Sequence, residues 1–175
     1  MRSSRAVVLT TERLTLERLE TGDLDMLYTL LSNGEVHRYF PGALSFEESR
    51  VMLDNILTRY ETEGTCFWGV FLKPENTFAG ICGIIRQTID DTVEYEIAYR
   101  FLPQFWKQGY ATEAAGGCIR HAAEKLNLSS IISLIRPENM PSIAVAKRCG
   151  LEYERDILFH EMVHGVYRRR LTTME

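Results

Sequence analysis

Two sets of residues have types and spacings that could do chemistry. The first is Lys107-Gln108-Gly109-Tyr110-Ala111-Thr112, between an alternating segment and a stretch with helical spacing. A helix start presents unpaired N–H groups and the positive end of the helix dipole, and small side chains such as Gly109 and Ala111 let an anion reach them. The segment suits a phosphate, or a tight strand-to-helix turn packed with small residues. It is not a Walker A loop, since no Gly-Lys-Ser/Thr follows, nor a G-x-G-x-x-G fingerprint. The second set is Asn139 and Ser142, an amide and a hydroxyl three apart at the mouth of a helix after a buried strand. Open sheets bind ligands at such strand ends; either residue could instead cap the helix. Pro141 then occupies an early helical position, where proline is tolerated.

Positioning these groups requires a sheet with helices on its faces. Residues 13–19 alternate polar and apolar, as in a half-buried strand. Leu24, Leu27, Tyr28 and Leu31 have helical spacing, and Asn33-Gly34 stops them. Ser45 and Glu48 form a capping box for a helix carrying Val51, Met52, Ile56 and Tyr60. Residues 66–72 and 78–86 are strand-like, joined by a hairpin loop at 73–77. Residues 94–101 alternate strictly, with Tyr95, Ile97, Tyr99 and Phe101 on one face and Glu94, Glu96 and Arg100 on the other. A helix follows with Ala114, Ala115, Cys118, Ile119, Ala122 and Leu126 on one side, then a continuously apolar strand at 130–135. A short helix stopped by Gly150 leads to two tail strands, 152–163 and 166–171, about a turn at His164-Gly165. The order β-α-α-β-β-β-α-β-α-β-β predicts an α/β (α+β) fold, a mixed sheet flanked by helices. With no repeats or linkers, one domain is expected over residues 1–175.

The chain has 175 residues, 45% apolar and 25% charged, with a net charge of -4. It can bury a core. Its mild acidity argues against a nucleic-acid surface working by bulk positive charge. No apolar run nears the roughly 20 residues that span a bilayer, and the N-terminal apolar stretch is too short for a secretory signal. Cys66, Cys82, Cys118 and Cys149 sit far apart among apolar neighbours, as buried reduced thiols do. No membrane association and a cytoplasmic setting are expected. His160 and His164 share a strand face if the tail strand runs through both, but no third ligand clusters with them, so no metal is expected. Exposed edges on the tail strands would suit a homodimer.

The stretch from Glu96-Ile97-Ala98-Tyr99 through Phe105-Trp106-Lys107-Gln108-Gly109-Tyr110-Ala111-Thr112-Glu113-Ala114, with Asn139-Met140-Pro141-Ser142, Gly150-Leu151 and the opening Thr11-Glu12-Arg13-Leu14-Thr15-Leu16, resembles the GNAT N-acetyltransferases. The branch most resembled is that of the ribosomal-protein N-terminal acetyltransferases. The resemblance implies a mainly antiparallel sheet with a splayed central strand pair, and acetyl-CoA as co-substrate. It implies that the backbone N–H groups of Lys107, Gln108, Gly109, Tyr110, Ala111 and Thr112 receive the pyrophosphate. The pantetheine would lie beside Phe101 and Leu102, with Asn139 on it and Ser142 near the sulfur. Three positions depart from the usual pattern: Trp106 stands where many members have Gln or Arg, which this branch tolerates, Ala146 stands where many have a tyrosine acting as general acid, and Leu151 replaces phenylalanine after Gly150, a volume-conserving change.

For a base the resemblance leaves three carboxylates. Glu96 and Glu94 share the polar strand face, and Glu161 lies where the branch carries a glutamate nineteen residues beyond its serine. Each could instead be a solvated strand carboxylate, and Glu113 a first-turn charge favouring the helix dipole. An α-amine, with a pKa of about 7.7–8.0, needs only a modest base, whereas a lysine near 10.4 needs roughly 4 kcal/mol of help. A thiol near 8.5 can leave as thiolate, so the missing tyrosine is tolerable. The expected activity is acetylation of a primary amine by direct attack in a ternary complex, the acceptor being a protein or peptide N-terminus. Two other readings stay open: a small-amine acetyltransferase for a polyamine, aminoglycoside or amino acid, and a CoA-binding module without turnover. The acceptor surface is expected at residues 33–44 and the tail strands.

Overall fold

The computed structural model describes residues 5–172; residues 1–4 and 173–175 of the expected domain, including the start of the N-terminal segment, lie outside the described residues. Eight strands form one sheet: β1 (Val7–Thr10), β2 (Leu14–Glu17), β3 (Phe67–Leu72), β4 (Thr77–Ile89), β5 (Thr92–Phe101), β6 (Ser130–Ile135), β7 (Glu152–Phe159) and β8 (Met162–Arg170). Their order across the sheet is β1-β2-β3-β4-β5-β6-β8-β7, antiparallel at every step except the parallel pair β5 and β6. Four helices, α1 (Leu24–Leu31), α2 (Phe46–Glu63), α3 (Tyr110–Glu124) and α4 (Met140–Arg148), cover its faces. Every expected element is present and β1 is added, pairing with β2.

Cross-strand partners share a face, so the register shows where each helix packs. Trp68, Cys82 and Tyr99 form one row across β3, β4 and β5. Trp68 meets His121 of α3 edge-on at 5.3 Å, and Cys82 Sγ lies 3.6 Å from Cys118 Sγ of the same helix. Phe67, Gly83 and Ala98 form the neighbouring row on the opposite face. On that side the Tyr60 hydroxyl of α2 donates to the Phe67 carbonyl and accepts from the Leu19 amide at 3.2 Å. Buried Leu, Ile and Ala residues of the helices close both layers. The Ser45–Glu48 capping box forms as expected, with Ser45 N–H donating to Glu48 Oε2 at 2.7 Å and Glu48 N–H to Ser45 Oγ at 3.2 Å.

Two turns bear on the site and differ from the sequence reading. β4 continues through Gln87 to Ile89 and turns at Asp90-Asp91, both with positive φ. In the tail the turn is His160-Glu161, at φ 48° and 62°, the signature of a two-residue type I′ hairpin. His164-Gly165 lies within β8, where Gly165 pairs with Ile135 and Asp156. Gly165 is there for room: a Cβ would lie 3.0 Å from the Tyr167 ring. His160 and His164 therefore do not share a strand.

Candidate active site

β5 and β6 are joined at a single residue pair, Glu96 with Ile132. Beyond it the strands part, held near the fork by Ser133 Oγ donating to the Ile97 carbonyl at 2.8 Å. Amides of successive strand residues point to alternate edges, so Tyr99 and Phe101 share the edge of Ile97 and face the split. The Phe101 carbonyl there accepts from Trp106 Nε1 at 2.8 Å. Phe101 and Leu102 are buried where β5 ends.

A cavity of about 360 Å³ opens through the split. One wall is β5 from Glu96 to Arg100; the facing wall is the end of β6 with Arg136 and the start of α4 with Asn139 and Ser142. Tyr39, Phe40 and Pro41 cover it from one side and Phe159, His160 and Met162 from the other. The expected acceptor stretch 33–44 thus reaches the cavity through Tyr39, Phe40 and Pro41.

Glu96 is half-buried in that cavity and accepts a hydrogen bond from Gln87 Nε2 at 2.8 Å. Burial raises its carboxyl to about 7, while Gln87, the Leu134 amide, Arg100 and Arg59 pull the other way. Glu94, two residues back on the same face, is engaged: Arg168 grips its two oxygens at 2.7 and 3.0 Å. Glu161 sits exposed on the hairpin turn, not in a strand as expected, because the positive φ of His160 and Glu161 ends β7 at Phe159. Of the three carboxylates considered, Glu96 alone lines the cavity.

Asn139 caps α4, its Oδ1 accepting from the Ser142 amide at 3.3 Å. The Tyr99 hydroxyl donates to the Ser142 carbonyl at 3.3 Å across the split. Ala146, at the position of the missing tyrosine, is buried in the core.

Lys107, Gln108 and Gly109 form an exposed loop that turns left-handed at Lys107 (φ 60°) and Gly109 (φ 82°) before α3. No side chain caps α3, so the first-turn N–H groups around Tyr110, Ala111 and Thr112 point out of the loop without a side-chain acceptor. Arg13 braces it, donating to the Gln108 carbonyl at 2.9 Å, lying 4.4 Å from the Tyr110 ring centre, and pairing with Glu113 at 2.6 Å. Glu113 also accepts from Thr11 Oγ1 at 2.6 Å and the Arg13 amide at 2.7 Å. Burial opposes its charge, but these bonds win and hold the carboxyl below its usual value. Glu113 is thus a tether between the β1–β2 turn and α3. An uncapped helix start beside a left-handed glycine fits a pyrophosphate, and the unpaired edge of β5 fits an extended arm carrying amides.

The sequence reading did not single out Gln87, Arg59 or Arg136 as cavity residues, or Tyr99 as a hydrogen-bond donor. For Gln87 the signal was two further residues of alternation past Arg86; for Arg136 it was its place directly after the buried strand 130–135.

Residues 13–152 match the family model for the GNAT acetyltransferase domain, and the chain belongs to that family: it is an acetyl-CoA-dependent N-acetyltransferase. It is 31% identical over 163 residues to the uncharacterized protein YkkB of Bacillus subtilis, covering 93% of this chain and 95% of that one. With the uncharacterized N-acetyltransferase YnaD of Bacillus subtilis it shares 30% over 146 residues, 83% of each chain. A Salmonella typhimurium acetyltransferase described as modifying the N-terminal serine of ribosomal protein L7/L12 has the same fold, with a TM-score of 0.78 at 17% identity over 95% of this chain and 99% of that one.

Proposed function

We propose that the chain acetylates the N-terminal α-amine of a protein or peptide, by direct attack on acetyl-CoA within a ternary complex. The observation that carries this reading is Glu96, a carboxyl near 7 at the fork of the sheet. A base is most effective when its pKa lies near that of the proton it takes and near the working pH, and an α-amine at about 7.7–8.0 meets both conditions. A lysine side chain does not.

The thioester supplies the acetyl group. The N–H groups from Lys107 to Thr112 hold the pyrophosphate, and the edge of Tyr99 and Phe101 holds the arm and offers amide N–H groups to the developing oxyanion. Glu96 orders the amine and accepts its proton. The Ser142 hydroxyl donates to the departing sulfur, and Asn139, its Oδ1 occupied by the cap, offers Nδ2 to the arm. We place the reaction in the cytoplasm, in keeping with four buried free cysteines.

The test is thiol release and acceptor mass shift with matched peptides, one with a free N-terminus and one N-terminally blocked but carrying a lysine. Turnover of the free N-terminus alone supports the reading. Turnover of the lysine peptide, or of polyamines and aminoglycosides in preference to peptides, overturns it.

A further inference from the structure

The charges around the cavity do not balance. Arg100 lies on the β5 wall, on the same face as Glu96 and four residues beyond it. Its guanidinium stacks 4.2 Å from the Phe40 ring centre and 5.8 Å from that of Phe67. Its Nη1 donates to His37 Nε2 at 3.0 Å. The other His37 nitrogen, Nδ1, lies 3.2 Å from the Asn33 carbonyl and must donate to it, so Nε2 carries a lone pair and the ring is neutral. Among the described residues no carboxylate lies within ion-pair distance of Arg100: Glu96, on the same wall, acts on it at longer range, and its hydrogen-bond partner is a neutral ring.

Arg136, on the facing wall, has its buried Nε in a long ion pair, 3.5 Å from the exposed Glu138 carboxylate and outside hydrogen-bonding geometry, and otherwise donates to Met162 Sδ at 2.8 Å. Arg59, the third arginine of the lining, is engaged by Glu63 at 2.9 Å. Against these stands Glu96, which the proposed function commits to the amine. A guanidinium withdrawn from water without a carboxylate in contact is costly: burial lowers Arg100 to about 10 although Glu96 pulls the other way, a cost that an arriving anion would relieve. Its planar fork matches a carboxylate in two parallel bonds.

We propose that the acceptor is acidic: its amine is accompanied by a carboxylate that Arg100 receives, with Arg136 as a second anchor across the cavity. This rests on reading the cavity as the acceptor site. It adds a selection rule, since a polycationic amine would meet two arginines, whereas a peptide with an acidic residue next to its N-terminus, or a free amino acid, would fit.

The experiment measures kcat/KM by thiol release with acceptors differing only in charge: a Ser-Glu peptide against Ser-Gln, a free amino acid against its amide, and a phosphoserine peptide against serine. The wild type is expected to favour each carboxylate at least tenfold, through KM. Arg100→Gln is expected to bring that ratio near one and Arg136→Gln to reduce it several-fold; Arg100→Lys, which keeps charge without the fork, should fall between. Arg50→Gln, on the outer surface of α2, should keep the full ratio. Equal rates within each pair, or a ratio surviving both Arg100→Gln and Arg136→Gln in folded protein, overturns the proposal while leaving N-terminal acetylation intact. A phosphate-bearing acceptor outrunning the carboxylate overturns the carboxylate assignment. If free amino acids turn over with the predicted charge preference and peptides do not, the acidic rule holds and the N-terminal reading fails. If no amine is acetylated, equal affinity of each charged and neutral pair for the acetyl-CoA-loaded protein overturns the rule.

Discussion

Glu96 faces Ile132 across the single ladder pair between β5 and β6, so the raised carboxyl and the parting of the sheet occur at one point. The geometry that desolvates the acid is the geometry that opens the cavity. Glu96→Gln is therefore expected to lower kcat/KM by roughly 10²–10⁴-fold, the usual share of a general base. The wild-type kcat/KM profile should carry two acid-side ionisations, Glu96 at about 7 and the acceptor amine at about 7.7–8.0, and only that of the amine should remain in the variant. An unchanged profile in Glu96→Gln would assign the ionisation elsewhere.

The same residue should cost stability. A carboxyl at about 7 in the folded chain and about 4.5 unfolded binds more protons when folded, so its contribution is present at low pH and lost as pH rises between those values. The full effect is on the order of 3 kcal/mol. Glu96→Gln should accordingly be more stable than wild type at pH 8, with the difference closing below pH 5. Denaturant titrations at both pH values read it directly.

Glu161→Gly is expected to retain activity within two-fold, because the turn carries it away from the cavity. It should raise stability by about 0.5–1 kcal/mol, since glycine occupies the left-handed conformation that glutamate holds under strain. A large loss of rate would restore Glu161 as a catalyst.

Glu113→Ala removes acceptors for Thr11 and for the Arg13 side chain and amide. Losing charge-assisted bonds of this kind should cost roughly 2–4 kcal/mol. Because Arg13 also holds the Gln108 carbonyl, KM for acetyl-CoA should rise more than kcat falls. A fall in kcat alone would give Glu113 a different role.

Ala146→Tyr should not increase the rate. The side chain at this position is buried against the sheet, and a phenol there overpacks the core at about 1–3 kcal/mol. Thermal melts and thiol release together decide whether the family's tyrosine could be restored.

Much of this arrangement was legible in the chain. Periodicity, apolar runs and stop residues together located every element except β1, whose Val7-Val8-Leu9 is a short apolar run without alternation. The capping box, the glycine before α3 and the Asn139–Ser142 pair are local signals and were readable as such. The tail turn was not, because Gly165 looks like a turn residue while its actual task is to admit a tyrosine ring from within a strand. Glu94 and Glu96 were equivalent by alternation. Only tertiary structure separates them, since Arg168 is distant in the chain and Gln87 lies beyond the expected end of its strand. The lone guanidinium of Arg100 is likewise invisible to a count of charges.

With the donor lying in the split between β5 and β6, as proposed above, the cohesion of the protein would depend on its supply of donor. Strands β1 to β5 and strands β6 to β8 share one backbone ladder pair, beside the Ser133–Ile97 bond and the Arg168–Glu94 ion pair, so an arm filling the gap between them would act as a ninth strand. Ligand present at 100 times its Kd adds about 2.7 kcal/mol to stability. Here that increment should be concentrated at the seam, slowing amide exchange at Tyr99, Phe101 and the free edge of β6 ahead of the outer strands. A cell depleted of acetyl-CoA would hold a looser form of the enzyme, and its abundance would follow the acetyl supply through proteolysis as well as its rate through saturation.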